Sequence, residues 1–167
     1  HLDSSAIFVP YIRNLGLDDL VFAAPDVGSV KRTRTFAKYF KADMVICDKH
    51  RERANEIASM NVIGDVTGKN VLLVDDIVDT AGTLCTAAQA LIDKGAKSVR
   101  AVCTHPVLSG PAYERINNSV LENIAVCNTL PVKNLSDKIE VLSVSHLFAT
   151  AIKRIFDFDR VLSRKEG

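Results

Sequence analysis

Val71-Leu72-Leu73-Val74-Asp75-Asp76-Ile77-Val78-Asp79-Thr80-Ala81-Gly82-Thr83 is the stretch that decides the fold of this chain. An apolar run stops at two adjacent carboxylates. A third follows at Asp79, and small, hydroxylated or glycine residues then lead into a helical pattern. That order predicts a buried parallel strand, a tight loop and a helix N-terminus. In open α/β sheets ligands bind at the carboxyl ends of such strands, where loop amides and unpaired helix N–H groups face outward. Thr80, Ala81, Gly82 and Thr83 offer amides and hydroxyls to a phosphate. Asp75 and Asp76 stand where sugar hydroxyls or a metal would be held. The loop has neither Gly-Lys-Ser/Thr nor Gly-x-Gly-x-x-Gly, so it is not a Walker loop or a dinucleotide turn. A phosphorylated sugar is the guest this arrangement suits.

Outward from this stretch, strand and helix patterns alternate. Before it, Ser4 or Ser5 caps a helix carrying Ile7, Phe8, Tyr11, Ile12 and Leu15, stopped by Gly16. Leu20–Ala24 reads as a buried strand, a basic helix covers roughly Val30 to Phe40, and Met44–Cys47 is the next strand. Ile57–Ile63 is a further strand candidate, with Thr67-Gly68-Lys69 a turn into the central strand. After it come a helix starting past Thr83 and stopped by Gly95, a strand at Val99–Cys103, and a short helix started by Pro111. Short strands follow at Ile124–Cys127 and Ile139–Leu142. A last helix has Val144, Leu147, Phe148, Ala151, Ile152 and Ile155 on one stripe. Strands alternating with helices, and strands that are apolar throughout, predict an α/β fold: a doubly wound, mostly parallel sheet flanked by helices.

The 167 residues read most simply as one domain with a proper core. Net charge is +1, from 21 basic and 20 acidic residues, which argues against nucleic acid or a membrane surface as partner. No apolar span is long enough to cross a bilayer. Cys47, Cys85, Cys103 and Cys127 are dispersed, three of them in apolar runs, which suits reduced thiols in a cytoplasmic protein. The chain opens at His1-Leu2-Asp3 without a methionine, as a piece of something longer would.

Two other segments carry chemistry. Pro25-Asp26-Val27-Gly28-Ser29 ends a strand and precedes a helix, so Asp26, Val27, Gly28 and Ser29 repeat the anion-binding geometry of the main loop. From there Asp26 can ligate Mg²⁺. Lys49, His50, Arg51 and Arg53 crowd one stretch, the composition a basic lid over a polyphosphate needs. His105 lies at the right end of its strand to face the site, but nothing assigns it a catalytic role.

The 71–83 stretch resembles the phosphoribosyl-pyrophosphate (PRPP) loop of the phosphoribosyltransferase fold. Taken with Pro25–Gly28, Asp48–Arg51, Ile63–Val66, Thr104–Ala112 and Ala151–Ile155, the whole chain resembles the C-terminal half of ribose-phosphate pyrophosphokinases. That resemblance implies Mg²⁺-dependent transfer of the β,γ-diphosphoryl group of ATP to the C1 hydroxyl of ribose 5-phosphate, giving PRPP and AMP. By position it implies that Asp79, Thr80, Ala81, Gly82 and Thr83 hold the 5-phosphate. Asp75 and Asp76 would take the ribose hydroxyls, Asp26 to Ser29 would form the diphosphate loop with Asp26 a magnesium ligand, and Lys49 and Arg51 would be the catalytic pair.

The chain departs from the family pattern at Ser29, where a second glycine is usual, at His50, and in the tail from Phe158 to Lys165. The family's enzymes are about twice this length and homo-oligomeric. Their N-terminal half carries adenine-binding residues, a magnesium-binding histidine and much of the subunit contact. The resemblance therefore implies residues 1–167 as the C-terminal domain, incomplete for catalysis by itself. A phosphoribosyltransferase that uses PRPP, and a catalytically silent PRPP-synthetase-associated regulatory protein, are the alternatives.

Overall fold

The computed structural model describes residues 2–50, 59–134 and 136–163. Its centre is a seven-stranded sheet. In chain order the strands are β1 (Leu20–Ala24), β2 (Asp43–His50), β3 (Ser59–Ile63), β4 (Asn70–Val78), β5 (Ser98–Pro106), β6 (Ile124–Cys127) and β7 (Ile139–Leu142). In space they run β3-β2-β1-β4-β5-β6-β7. Every neighbouring pair is parallel except β2 with β3, which pair antiparallel from Ile46 opposite Ile63 to His50 opposite Ser59. The sheet is thus mostly parallel, as expected.

The helices are α1 (Ser5–Asn14), α2 (Val30–Phe40), α3 (Gly82–Asp93), α4 (Ala112–Asn118) and α5 (Ser145–Ser163). The alternation of side chains along the central strands sorts the core into two layers. On one face Val21, Leu73 and Ala101 pack with Leu84, Ala88 and Leu91 of α3 and with Ile116 of α4. On the other, Phe22, Leu72 and Val102 pack with Phe8 and Ile12 of α1 and with Phe36 of α2. Phe22, Leu72 and Leu73 are fully buried, each contributing roughly 1.5–3 kcal/mol of apolar burial. A sheet buried on both faces needs strands that are apolar throughout, and this is why their sequences do not alternate.

Three local expectations are corrected and one is refined. The central strand does not stop at the two carboxylates. It runs on to Val78, because Ile77 and Val78 find partners in His105 and Pro106 of a β5 that is also longer than expected. Helix α3 begins at Gly82, inside the loop, since Ala81 turns the chain with a left-handed φ of 59°. Ser4, one of the two serines expected, is the N-cap of α1, but its side chain makes no cap bond and Asp3 Oδ1 accepts from the Ser5 N–H at 2.8 Å instead. Pro111 is the N-cap of α4 rather than its first residue.

The apolar stripe of α5 is present but not covered, with Phe148, Ile152, Ile155 and Phe156 exposed. All four cysteines are free. Cys47, Cys103 and Cys127 are buried in strands and Cys85 is half-buried in α3. Among the described residues no helix is long and apolar enough to cross a membrane.

Candidate active site at the switch point of the sheet

The strand order reverses its sense of winding between β1 and β4. The chain leaves β1 toward β2 on one side and leaves β4 toward β5 on the other. Such a switch point opens a crevice beyond the carboxyl ends of the two strands. Both segments singled out in the sequence lie there, one leaving the end of β1 and the other closing β4. Asp26, Gly28, Ser29, Asp75, Asp76, Asp79, Thr80, Ala81, Gly82 and Thr83 line one cavity of about 340 Å³, together with Arg32.

A single 3-10 turn, Val27–Ser29, forms the first loop. Asp26 is extended, and its Oδ1 accepts from the Ser29 N–H at 2.9 Å and faces the Ser29 hydroxyl at 3.0 Å. The same hydroxyl lies 3.0 Å from Asp75 Oδ1. Ser29 therefore joins the two loops, its one proton shared between two carboxylates. Val27 is held out in solvent, as a loop residue contributing backbone rather than side chain.

The second loop is braced from behind by the segment after β5. Leu108 N–H donates to Val78 O at 3.1 Å, Ser109 N–H donates to Asp79 O at 3.1 Å, and the Ser109 hydroxyl donates to Asp79 Oδ1. Arg115 of α4 donates from Nη1 to Thr80 O at 3.0 Å. This bracing holds Ala81 in the left-handed region, where a residue with a Cβ costs about 1–2 kcal/mol. The N–H groups of the first turn of α3 have no acceptor within the helix and meet the cavity with its positive dipole end. A phosphate is the ligand such a cradle fits.

Asp75 is pushed up to about 6, chiefly by burial. The Ser29 hydroxyl and the Asp76 N–H oppose the shift, while the charges of Asp26 and Asp76 add to it. Opposite them stands Arg32, with Nη2 at 2.6 Å from Asp76 Oδ2 and Nη1 at 3.5 Å from Asp75 Oδ1. Among the described residues no three His, Cys, Asp or Glu side chains are grouped as a metal site. Mg²⁺, however, is commonly held by one or two carboxylates plus substrate phosphates, keeping several waters. Asp26, half-buried at the cavity wall, fits that kind of site.

Of the residues expected to bind the diphosphate and the sugar phosphate, Asp26, Gly28, Ser29, Asp75, Asp76 and Asp79 to Thr83 come together around one cavity, while Val27 does not line it. For the catalytic pair, Lys49 has a described backbone in β2, paired with Met60 of β3, and Arg51 lies outside the described residues. β2 extends to His50, so the backbone of Lys49 and His50 pairs with β3, while the rest of the expected basic lid lies outside the described residues. His105 is held by Thr129. The Thr129 hydroxyl donates to Thr104 O at 3.0 Å, so at 2.9 Å it accepts from His105 Nδ1, which carries the proton.

Arg32, Ser109 and Arg115 are the site residues that sequence reading missed. A signal existed for Arg32, a cation in the first turn of the helix that the Asp26–Ser29 loop opens. For Arg115, more than thirty residues from Thr80, there was none.

Comparison with known proteins bears on the same residues. Residues 44–163 match the family model described as the phosphoribosyl synthetase-associated domain. The chain is 50% identical over 163 residues to a ribose-phosphate pyrophosphokinase of Campylobacter jejuni, covering 98% of this chain and 53% of that one. It is 51% identical over 155 residues to that of Helicobacter hepaticus, covering 93% and 50%. A phosphoribosylpyrophosphate synthetase of Mycobacterium smegmatis superposes with a TM-score of 0.84 at 32% identity, over 92% of this chain and 51% of that one. A purine phosphoribosyltransferase of Pyrococcus horikoshii shares the fold, with a TM-score of 0.54 at 16% identity over 84% and 85%. The chain thus spans about half the length of the curated relatives it matches.

Proposed function

The chain belongs to the phosphoribosyl synthetase-associated domain family, and from that premise we propose that it is the C-terminal domain of a ribose-phosphate pyrophosphokinase. The whole enzyme transfers the diphosphoryl group of ATP to ribose 5-phosphate, giving PRPP and AMP, in the cytoplasm and as a homo-oligomer. One observation carries the reading: two anion-binding loops, from β1 and from β4, converge on one cavity at the switch point. A phosphoribosyltransferase needs the sugar-phosphate loop, but a second diphosphate loop tied to it through Ser29 suits a diphosphoryl transfer.

In this reading Asp79, Thr80, Ala81, Gly82 and Thr83 bind the 5-phosphate through backbone N–H groups and hydroxyls. Asp75 and Asp76 accept from the ribose hydroxyls and orient C1 toward the first loop. Asp26, Val27, Gly28 and Ser29 bind the diphosphate, with Asp26 facing a Mg²⁺ carried in with the nucleotide, which would neutralise charge on the transferring group. The C1 oxygen attacks the β-phosphorus, the bond from that phosphorus to the α,β-bridging oxygen breaks, AMP leaves, and the C1 hydroxyl proton goes to solvent. Lys49 and Arg51 supply positive charge in the transition state. Such a reaction depends on alignment and charge neutralisation more than on a strong base.

The test is an assay of the full-length gene product for AMP release from ATP and ribose 5-phosphate, with a Lys49→Ala control. A wild type that is silent here but converts PRPP and a nucleobase into a nucleotide would replace this reading with the phosphoribosyltransferase one. A Lys49→Ala variant as active as its parent would remove the catalytic pair.

A further inference from the structure

Asp75 and Asp76 are consecutive residues of a strand, whose pleat sends successive side chains to opposite faces. Two like charges in that position are also driven apart by repulsion. Yet one guanidinium reaches both. Arg32 touches Asp76 Oδ2 through Nη2 at 2.6 Å and Asp75 Oδ1 through Nη1 at 3.5 Å. Asp75 Oδ1 is fixed further by the Asp76 N–H at 2.9 Å and the Ser29 hydroxyl at 3.0 Å.

All these donors fall on one oxygen of each carboxylate. Among the described residues none reaches Asp75 Oδ2 or Asp76 Oδ1. Asp75 Oδ2 and Asp76 Oδ1 are thus without a donor among the described residues, in two carboxylates that line one cavity and share one planar guanidinium. Arg32 is itself held, because α2 opens directly from the loop that Asp26 and Ser29 cap.

We infer that Arg32 is a positioning residue that presents Asp75 and Asp76 as a matched pair of acceptors for a vicinal diol, and so makes the site select ribose 5-phosphate over its 2-deoxy analogue. The inference rests on the sugar-phosphate reading of the cavity. Selectivity arises because a pair fixed to accept two hydroxyls is left with an unanswered charge when one hydroxyl is missing. Arg32 also borders a neighbouring cavity of about 570 Å³, which shares Gly28, Arg32 and Asp76 with the first. A role on that side, toward the diphosphate donor, is the competing assignment.

The experiment is titration calorimetry of ribose 5-phosphate and 2-deoxyribose 5-phosphate against the full-length protein and its Arg32→Ala and Arg32→Lys variants. AMP release is assayed in parallel and folding checked by circular dichroism. The wild type should prefer ribose 5-phosphate, and Arg32→Ala should lower that preference roughly tenfold through weaker ribose binding, with the 2-deoxy affinity nearly unchanged. Arg32→Lys should restore part of it, since a single ammonium can answer one carboxylate but not fix both. Parallel loss of both sugars in a folded Arg32→Ala variant, or no preference in the wild type, overturns the inference. So does a variant that binds both sugars normally but has a raised apparent KM for ATP. Absence of AMP release from a wild type that shows the sugar preference would instead overturn the proposed reaction and leave this inference standing.

Discussion

Asp75 concentrates the electrostatic conflict of the site, a half-buried carboxylate beside two others, raised to about 6 from an ordinary 3.8. The sign of its linkage is fixed by that direction. A raised acid contributes stability that is fully present below its unfolded value and is lost as pH rises through its folded value. Asp75→Asn should therefore be more stable than the parent at pH 7, with an advantage that shrinks toward pH 4; a difference in urea midpoint that is flat with pH would contradict this. The same titration should govern binding. In metal-free buffer the preference for ribose 5-phosphate over 2-deoxyribose 5-phosphate should decline as pH falls from 7 to 5, because a protonated Asp75 is a poorer acceptor. Taking the ratio of the two sugars cancels the titration of their common phosphate. A ratio constant across that range would show that Asp75 does not face the diol. A residue that weakens the fold at neutral pH while holding the ligand is what a site built for a polar guest requires.

At the scale of elements, the loop from Asp79 to Thr83 is only as rigid as the segments behind it. Arg115 satisfies Thr80 O from α4 and lies 3.3 Å from where a Gly82 Cβ would be. Removing this exposed, charge-assisted bond by Arg115→Met should weaken ribose 5-phosphate binding by roughly three- to tenfold while moving the unfolding midpoint little. Calorimetry and thermal melts on the same variant check both halves of that statement. The β2–β3 pair depends on a different contact. Gly64 leaves β3 with φ +119°, and a Cβ there would sit 2.5 Å from Val45 Cγ1 in the core. Gly64→Ala should destabilise by roughly 2–4 kcal/mol, read from urea unfolding; an unchanged midpoint would mean that this corner relaxes freely.

These two cases also separate what was legible in the sequence from what was not. The strand and the loops at 26–29 and 79–83 are local patterns, where apolar runs, glycine and acids fall within a few residues of one another, and their place at the strand ends could be read. The extent of β4 past its carboxylates was not legible, because Asp75 and Asp76 break the apolar pattern while cross-strand pairing with His105 and Pro106 continues it. Arg115 and Ser109 act on the loop from about thirty residues away, a distance that periodicity cannot see. Ser4 takes the N-cap position of α1, but the side-chain bond to its first turn comes from Asp3, a choice decided by one hydrogen bond.

For the molecule as a whole, the two loops at the switch point are assembled around one cavity while another surface stands open. The cavity of about 340 Å³ lined by both loops lies beside one of about 570 Å³ that shares Gly28, Arg32 and Asp76 with it. On α5, Ile152 and Ile155 are each 64% exposed and Phe156 66%, in a stripe whose period was made for burial. An uncovered apolar face of this kind belongs against another surface, and the chain spans only about half of each curated relative. Diphosphoryl transfer needs both substrates held in line, so half of the positioning should yield far less than half of the rate. Purified residues 1–167 should therefore bind ribose 5-phosphate by calorimetry, bind a hydrophobic dye through α5, and release no measurable AMP from ATP and ribose 5-phosphate. Replacing Ile152 and Phe156 together by glutamate should reduce dye binding and leave sugar-phosphate affinity unchanged, because the stripe and the cavity are separate surfaces. AMP formation by this chain alone would show that its own loops suffice to align the nucleotide, and the division of the active site between two halves would have to be given up.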